Sequence, residues 1–324
     1  MDHIGFATPL TLALATSATI MTLTSCGSSH ASAEAHSSQT SSKGASFFAE
    51  ESTSREVVLV ESSITNAKFR VIDSKFYNST SIFNVGSTVL ANTPGGAGCP
   101  GDSVIVPSGA PFTSMENGNF NVVVVGVSGQ QVLAESIACP VANPRHPSFR
   151  YLLFAKDGKL ISSLGVRNLS VVSFGGVDHN IFLAWKNTGT NNTLVEGTVG
   201  QRTLKVTNTV SPGNGCVFRS SPSFSKNSNN AVIVATCSSN PKKIVLDTIE
   251  PFSPVAKTTT SAIDVPKICP LSESWYKVSN GGSKGVLIST SSNFGNFPLP
   301  TGCVELLSPS GSVKLLSAKM FNAV

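Results

Sequence analysis

From about Arg55 to Val324 the chain runs as one short apolar segment after another, each bounded by Gly, Pro, Asn, Asp or Ser. "FNVVVVGVS", "RYLLFA", "NIFLAW", "NAVIVATC", "KKIVLDTI" and "KGVLIST" are typical. Such runs are too short and too rich in β-branched residues for helices, and no stretch shows a convincing helical period. An all-β fold is expected. Asp157-Gly158, between "YLLFA" and "KLISSL", is a two-residue hairpin signal.

Four hairpins share one shape: an apolar strand, a polar turn, and a strand with an acid near its middle or end. They are "FNVVVVGVSGQQVLAES", "NIFLAWKNTGTNNTLVEG", "NAVIVATCSSNPKKIVLDT" and "KGVLISTSSNFGNFPLPTGCVEL", starting near Val122, Ile181, Val232 and Val286. Their spacing, roughly fifty to sixty residues, leaves room for about four strands each, the size of a propeller blade. "EVVLVES" at Glu56–Ser62 matches the second strand of an earlier unit. The pattern from about Arg55 to Val324 resembles β-propeller repeats and implies about five blades, although no WD or kelch signature is present. Two β-sandwiches are the alternative, since length fits either.

Residues 1–25 are an apolar, threonine-dotted run with no charge between Ile4 and Leu23, as in a secretory signal peptide. The string Leu23-Thr24-Ser25-Cys26 resembles the lipobox of bacterial lipoproteins. That resemblance implies lipidation of Cys26 and anchoring to a membrane, with residues 26–54 as a Ser-rich tether and 55–324 as the folded domain. Two other outcomes stay open. Ala31-Ser32-Ala33 would permit cleavage before Glu34 and plain secretion, or Cys26 lies by chance in an uncleaved segment.

With Cys26 set aside, six of the seven cysteines remain. Val122 to Cys139 and Val286 to Cys303 are equally spaced, and Cys99-Pro100 matches Cys269-Pro270. The expected disulfides are therefore Cys99–Cys139, Cys216–Cys237 and Cys269–Cys303. Such bonds persist outside the cytosol. The cysteines have no C-x-x-C spacing, so no zinc site is expected.

Charged residues are 13% of the chain, against a usual quarter or so, and the net charge of +5 is spread without Lys/Arg clusters. Nucleic acid is not an expected partner. Gly96-Ala97-Gly98-Cys99-Pro100-Gly101 matches a dinucleotide fingerprint as a string, but a strand follows where a helix is needed, and no cofactor is expected. Gly281-Gly282-Ser283-Lys284-Gly285 fails as a nucleophile elbow for the same reason, and the folded part offers only His146 and His179 as bases. Asn78, Asn168 and Asn191 head N-x-S/T strings of no expected consequence in a bacterial lipoprotein.

The acids are more patterned. Glu61, Glu135, Glu196, Asp247 and Glu305 recur nearly once per unit. They read first as polar positions on strands, and otherwise as a ring of acids facing a cation or sugar. Glu135, Glu196 and Asp247 are kept as candidate ligand contacts beside Trp185, Trp275 and Tyr276, whose amphipathic rings suit contact surfaces. The reading that follows is a non-enzymatic, exported, membrane-anchored protein that binds or scaffolds protein or glycan at the cell envelope. A glycan-active envelope hydrolase using those carboxylates, and a surface adhesin, are the alternatives.

Overall fold

The computed structural model describes residues 46–52, 57–63, 69–73, 81–85, 88–93, 101–113, 120–129, 131–138, 149–165, 169–177, 180–187, 192–224, 228–241, 243–264, 276–280, 285–292 and 301–321. They form six antiparallel meanders. The first contains β1 (Ser46–Ser52), β2 (Val57–Ser63) and β3 (Phe69–Asp73), and the second β4 (Ser81–Val85), β5 (Thr88–Asn92), β6 (Ser103–Val106) and β7 (Ala110–Pro111). The third is β8 (Phe120–Ser128), β9 (Gln131–Ala138), β10 (Phe149–Ala155) and β11 (Leu160–Leu164). The fourth is β12 (Leu169–Gly175), β13 (Ile181–Asn187), β14 (Asn192–Val199) and β15 (Leu204–Val210).

The fifth sheet starts with a divided strand, β16 (Cys216–Phe218) and β18 (Ser223–Phe224), between which β17 (Ser220–Ser221) joins the sixth sheet instead, and continues with β19 (Ala231–Cys237), β20 (Lys243–Ile249) and β21 (Lys257–Asp264). The sixth is β22 (Tyr276–Asn280), β23 (Val286–Ser292), β24 (Thr301–Leu307) and β25 (Val313–Ser317). The last strand, β26 (Met320–Phe321), returns to pair with β1, so the first sheet reads β26-β1-β2-β3.

Apolar side chains from each pair of neighbouring sheets form one cluster, and the clusters complete a ring. Ile82 and Val89 pack with Phe48 between the first and second sheets. Leu90 and Phe112 meet Val122 and Ala134 between the second and third. Tyr151 and Leu153 meet Phe182 and Val195, Leu183 and Leu194 meet Ile233 and Ile249, and Val234 and Leu246 meet Ile288 and Leu307 at the next three seams. Phe47 and Val60 meet Leu287 and Val304 at the last, beside Met320. First strands of successive sheets adjoin, as β4 with β8 and β8 with β12, which places them innermost. The fold is a six-bladed β-propeller closed by β26.

Second strands are buried on both faces, which is why they read as unbroken apolar runs: Ile181, Phe182, Leu183 and Ala184 are all inaccessible to solvent. Close approach of inner strands requires glycine. A Cβ on Gly126 would lie 2.5 Å from the Phe174 backbone nitrogen, and one on Gly175 would collide with the Phe224 side chain.

The expectation of about five blades is thus corrected to six. Part of the reason is phase. The hairpin at Val122 joins first and second strands (β8 and β9), whereas those at Ile181, Val232 and Val286 join second and third strands. Each kind of hairpin contains a buried, apolar second strand, so hydrophobicity alone does not separate them. The Asp157-Gly158 turn, which fitted no unit, joins the third and fourth strands of its blade, β10 and β11. The folded part also begins earlier than residue 55, because β1 lies within the segment read as tether and its Phe47 and Ala49 are core residues.

Candidate functional site

The patterned acids do not form a ring. Glu61, Glu196, Asp247 and Glu305 lie on third strands, Glu135 on a second strand. Directly paired residues of antiparallel strands point to the same face of the sheet. Glu196 pairs with Leu183 and Asp247 with Ile233, and both partners belong to the core between the fourth and fifth blades. These two acids therefore enter one seam from opposite sides. Glu305 pairs with Ile288 and faces the seam between the fifth and sixth blades, while Glu135 pairs with Tyr151 on the side facing the fourth.

Glu196 and Asp247 are held by hydrogen bonds to the fifth blade. Glu196, 1% exposed, accepts the Phe252 N–H at 2.8 Å from the loop between β20 and β21. Asp247, 0% exposed, accepts the Thr258 hydroxyl at 2.8 Å, and its Oδ2 has no hydrogen-bond partner. Burial raises the carboxyl pKa of both above the ordinary range, partly countered by those hydrogen bonds. Burial likewise raises Glu135, and pushes Glu305 up to about 7. Burial also raises the Tyr151 phenol, whose oxygen accepts the Val171 N–H at 2.8 Å.

The candidate aromatic residues lie elsewhere, where second strands end and first strands begin. Trp185 is near the end of β13, and its ring centroid lies 6.4 Å from that of Phe218 at the start of the fifth blade, with the planes tilted by 56°. Tyr276 opens β22. Beside Tyr276 stands Arg219, which sequence reasoning did not single out. It is exposed, its Nε–H donates to the Thr236 hydroxyl at 2.9 Å, and its carbonyl accepts the Tyr276 N–H at 3.5 Å. Burial raises the Tyr276 phenol, the Arg219 charge lowers it, and the Glu305 charge raises it. A disulfide joins Cys216 to Cys237, which are direct partners across β16 and β19 one residue pair from this surface. The signal for Arg219 was present in "CVFRSSPS", where Pro222 must interrupt an inner strand.

The Cys216–Cys237 pairing is as expected. Cys303 is also disulfide-bonded, and Cys99, Cys139 and Cys269 lie outside the described residues. So do Cys26, Trp275, His146, His179, Ser283, Asn78, Asn168 and Asn191. Among the described residues no group of three or more His, Cys, Asp or Glu side chains could hold a metal ion.

Fold and seams define a six-bladed propeller. No known family matches the sequence, and no curated protein matches it. In fold it is similar to a TolB-type protein of Agrobacterium tumefaciens, with 12% identity and a TM-score of 0.51 over 87% of this chain and 92% of that one. Lower similarity extends to the tricorn protease, at 10% identity and a TM-score of 0.46 over 84% of this chain and 26% of that one. A puromycin-hydrolyzing peptidase of Mycobacterium tuberculosis gives 10% identity and 0.43 over 84% and 44%.

Proposed function

We propose that this chain is an exported, lipid-anchored binding or scaffolding protein of the cell envelope. The observation that carries the reading is the division of its polar groups. Two of the three candidate carboxylates, Glu196 and Asp247, are sunk in a seam and hydrogen-bonded to the fold, Glu196 to Phe252 and Asp247 to Thr258. The groups offered to solvent include Arg219 and, in part, the half-buried rings of Trp185, Phe218 and Tyr276, residue types that serve as contact anchors. The Cys216–Cys237 disulfide supports a compartment outside the cytosol. The Leu23–Cys26 string supports a lipid anchor on Cys26, by resemblance to the lipobox.

A second reading, a glycan hydrolase, is favoured by one observation, the entry of Glu196 and Asp247 into the same seam. Cleavage needs two carboxyl groups flanking a bond that substrate can reach. The two readings separate experimentally. For the anchored binding protein, the mature chain should begin at an acylated Cys26 by mass spectrometry, and Cys26→Ala should move to the soluble fraction. Ester, peptide and glycan substrates should give no turnover above background. A mature N-terminus at Glu34 without lipid removes the anchor. Turnover abolished by Ser283→Ala, or by a change at Glu135, Glu196 or Asp247 that leaves the fold intact, removes the binding role.

A further inference from the structure

Third and fourth strands of each blade are joined at one rim of the propeller, the same rim at which second strands start. Because every blade is an antiparallel meander, the two rims do not exchange from blade to blade. In the first blade Ser46, which opens β1, lies beside Ser63 at the end of β2. In the fifth, Ala231 opens β19 beside Ile249, and the chain then enters the loop from Glu250 to Ala256. The segment that carries Cys26 therefore joins the fold at the rim that bears this loop. The turns between β10 and β11 and between β14 and β15 share that rim.

The loop reads Glu-Pro-Phe-Ser-Pro-Val-Ala, and two of its apolar side chains turn outward: Phe252 is 51% exposed and Val255 52%. Its backbone, by contrast, bonds within the fold. The Phe252 N–H donates to Glu196 at 2.8 Å, the Ser253 N–H to the Glu250 carbonyl at 3.1 Å, and the Ala256 N–H to the Ser211 carbonyl at 2.9 Å. The Pro254 carbonyl accepts the Ser211 N–H at 3.0 Å, and the Val255 carbonyl accepts the Ser253 hydroxyl at 2.9 Å. Pro251 and Pro254 have no N–H to satisfy. Such a loop can leave water without stranding these groups, which is the main cost of carrying backbone into an apolar layer. The left-handed φ of 60° at Phe252 is backbone strain of the kind that gathers at ligand contacts.

Basic side chains accompany the loop along this rim. Lys159 ends the β10–β11 turn, Arg202 lies in the β14–β15 turn with Lys205 just beyond it, and Lys257 follows the loop itself. All four are exposed, against the exposed acids Asp157 and Glu250. Apolar side chains flanked by cations fit the boundary between acyl chains and anionic headgroups. An anchored chain needs little intrinsic affinity there, because tethering keeps the rim at high effective concentration near the bilayer. Resting on the lipid anchor proposed above, we infer that the Glu250–Ala256 loop docks the propeller on an anionic membrane surface. Phe252 and Val255 enter the acyl boundary, and Arg202 and Lys257 meet lipid phosphates.

The test is tryptophan quenching by brominated lipid, with the mature chain on vesicles of phosphatidylglycerol and brominated phosphatidylcholine. Phe252→Trp should be quenched about twofold or more beyond the parent, whose own tryptophans are Trp185 and Trp275. Phe120→Trp, at an exposed position where β8 starts on the opposite rim, should be quenched no more than the parent. Adding Arg202→Gln and Lys257→Gln, or raising the salt, should reduce the quenching at Phe252→Trp. In the parent chain, hydrogen exchange over residues 250–256 should slow severalfold on the same vesicles. Quenching of Phe252→Trp at the parent level, stronger quenching of Phe120→Trp, or unchanged exchange in the parent overturns the docking loop. So does a blue shift of Phe252→Trp that follows protein concentration without vesicles, which marks contact with a second copy. Photocrosslinking from residue 252 in whole envelopes that captures protein instead of lipid overturns the lipid class. Mass spectrometry of the same samples reads Cys26 separately. A lipidated chain without quenching removes the docking loop and leaves the anchor, whereas an unlipidated chain that is still quenched removes the anchor and supports the loop.

Discussion

The Glu196 carboxylate on the fourth blade accepts the backbone N–H of Phe252 on the fifth at 2.8 Å, and Phe252 is held there at φ 60°. An L-residue in this left-handed region is disfavoured by about 1–2 kcal/mol, so an outside contact must hold it. The same loop is tied to the fourth blade by Ser211, whose N–H donates to the Pro254 carbonyl at 3.0 Å and whose carbonyl accepts the Ala256 N–H at 2.9 Å. Glu196→Ala should cost about 1–3 kcal/mol in urea unfolding and speed hydrogen exchange at the Phe252 amide. Glu196→Gln, which retains an acceptor oxygen, should cost less. Unchanged exchange in Glu196→Ala would show that Ser211 alone sets the loop.

The buried acids make stability depend on pH in an unusual direction. A carboxyl whose folded pKa is raised holds its proton more firmly folded than unfolded, so its stabilising contribution is complete below the ordinary value and is lost as pH rises through the folded value. For Glu305 that window runs from the ordinary value of 4.5 to about 7, and Glu135, Glu196 and Asp247 act in the same sense. The melting temperature should therefore rise as pH is lowered from 8 toward 5. Glu305→Gln should flatten the profile and stabilise the protein at pH 8 by about 1–2 kcal/mol. A melting temperature highest at pH 8 in the parent chain would contradict this account.

The Cys216–Cys237 bond closes a sequence separation of 21 residues. Replacing both cysteines by serine should cost about 3 kcal/mol in the chain-entropy account. It should also loosen β16, which Cys216 opens and which ends just before Arg219, so amide exchange at Val217 and Phe218 should quicken more than at Ile233 in the same blade.

Gly126 sits where the third and fourth blades come closest along their inner strands. An added Cβ would lie 2.5 Å from the Phe174 nitrogen and 2.7 Å from its Cβ and carbonyl oxygen. Because two of these atoms are backbone, the clash cannot be relieved by a rotamer change. Gly126→Ala should destabilise by about 1–3 kcal/mol or more, whereas Gly213→Ala should cost less, since a Cβ there meets only the Thr258 hydroxyl at 3.9 Å. Thermal unfolding of the two variants side by side decides it.

Strand identity was legible in the sequence because burial on both faces turns second strands such as Ile181–Asn187 and Ala231–Cys237 into unbroken apolar runs. That same burial hid the phase of the repeats, since a hairpin of first and second strands looks like one of second and third. The first strand was missed because Ser46–Ser52 follows a serine-rich stretch and carries two glutamates, although Phe47 and Ala49 face the core. The acids were visible as a recurrence, but the side they face was not: Glu196 turns toward the next blade and Asp247 toward the preceding one, a difference of one residue in register. Trp185 and Tyr276 stand out by residue type. Arg219 acquires its place only when the strand crosses to the sixth blade, a long-range event with Pro222 as its only local sign.

The pairing of Glu50 and Glu51 with Phe321 and Met320 has a consequence for how the protein is made. Synthesis runs from the first blade toward the sixth, yet the inner edge of the first blade is completed by the strand that leaves the ribosome after all the others. The early blades can assemble their own hairpins as they appear, and the Cys216–Cys237 crosslink needs only residues already synthesised. The annulus itself cannot shut until Met320 and Phe321 are available. Until then β1 presents an unpaired edge, open to any other strand with free backbone groups, including that of a second copy.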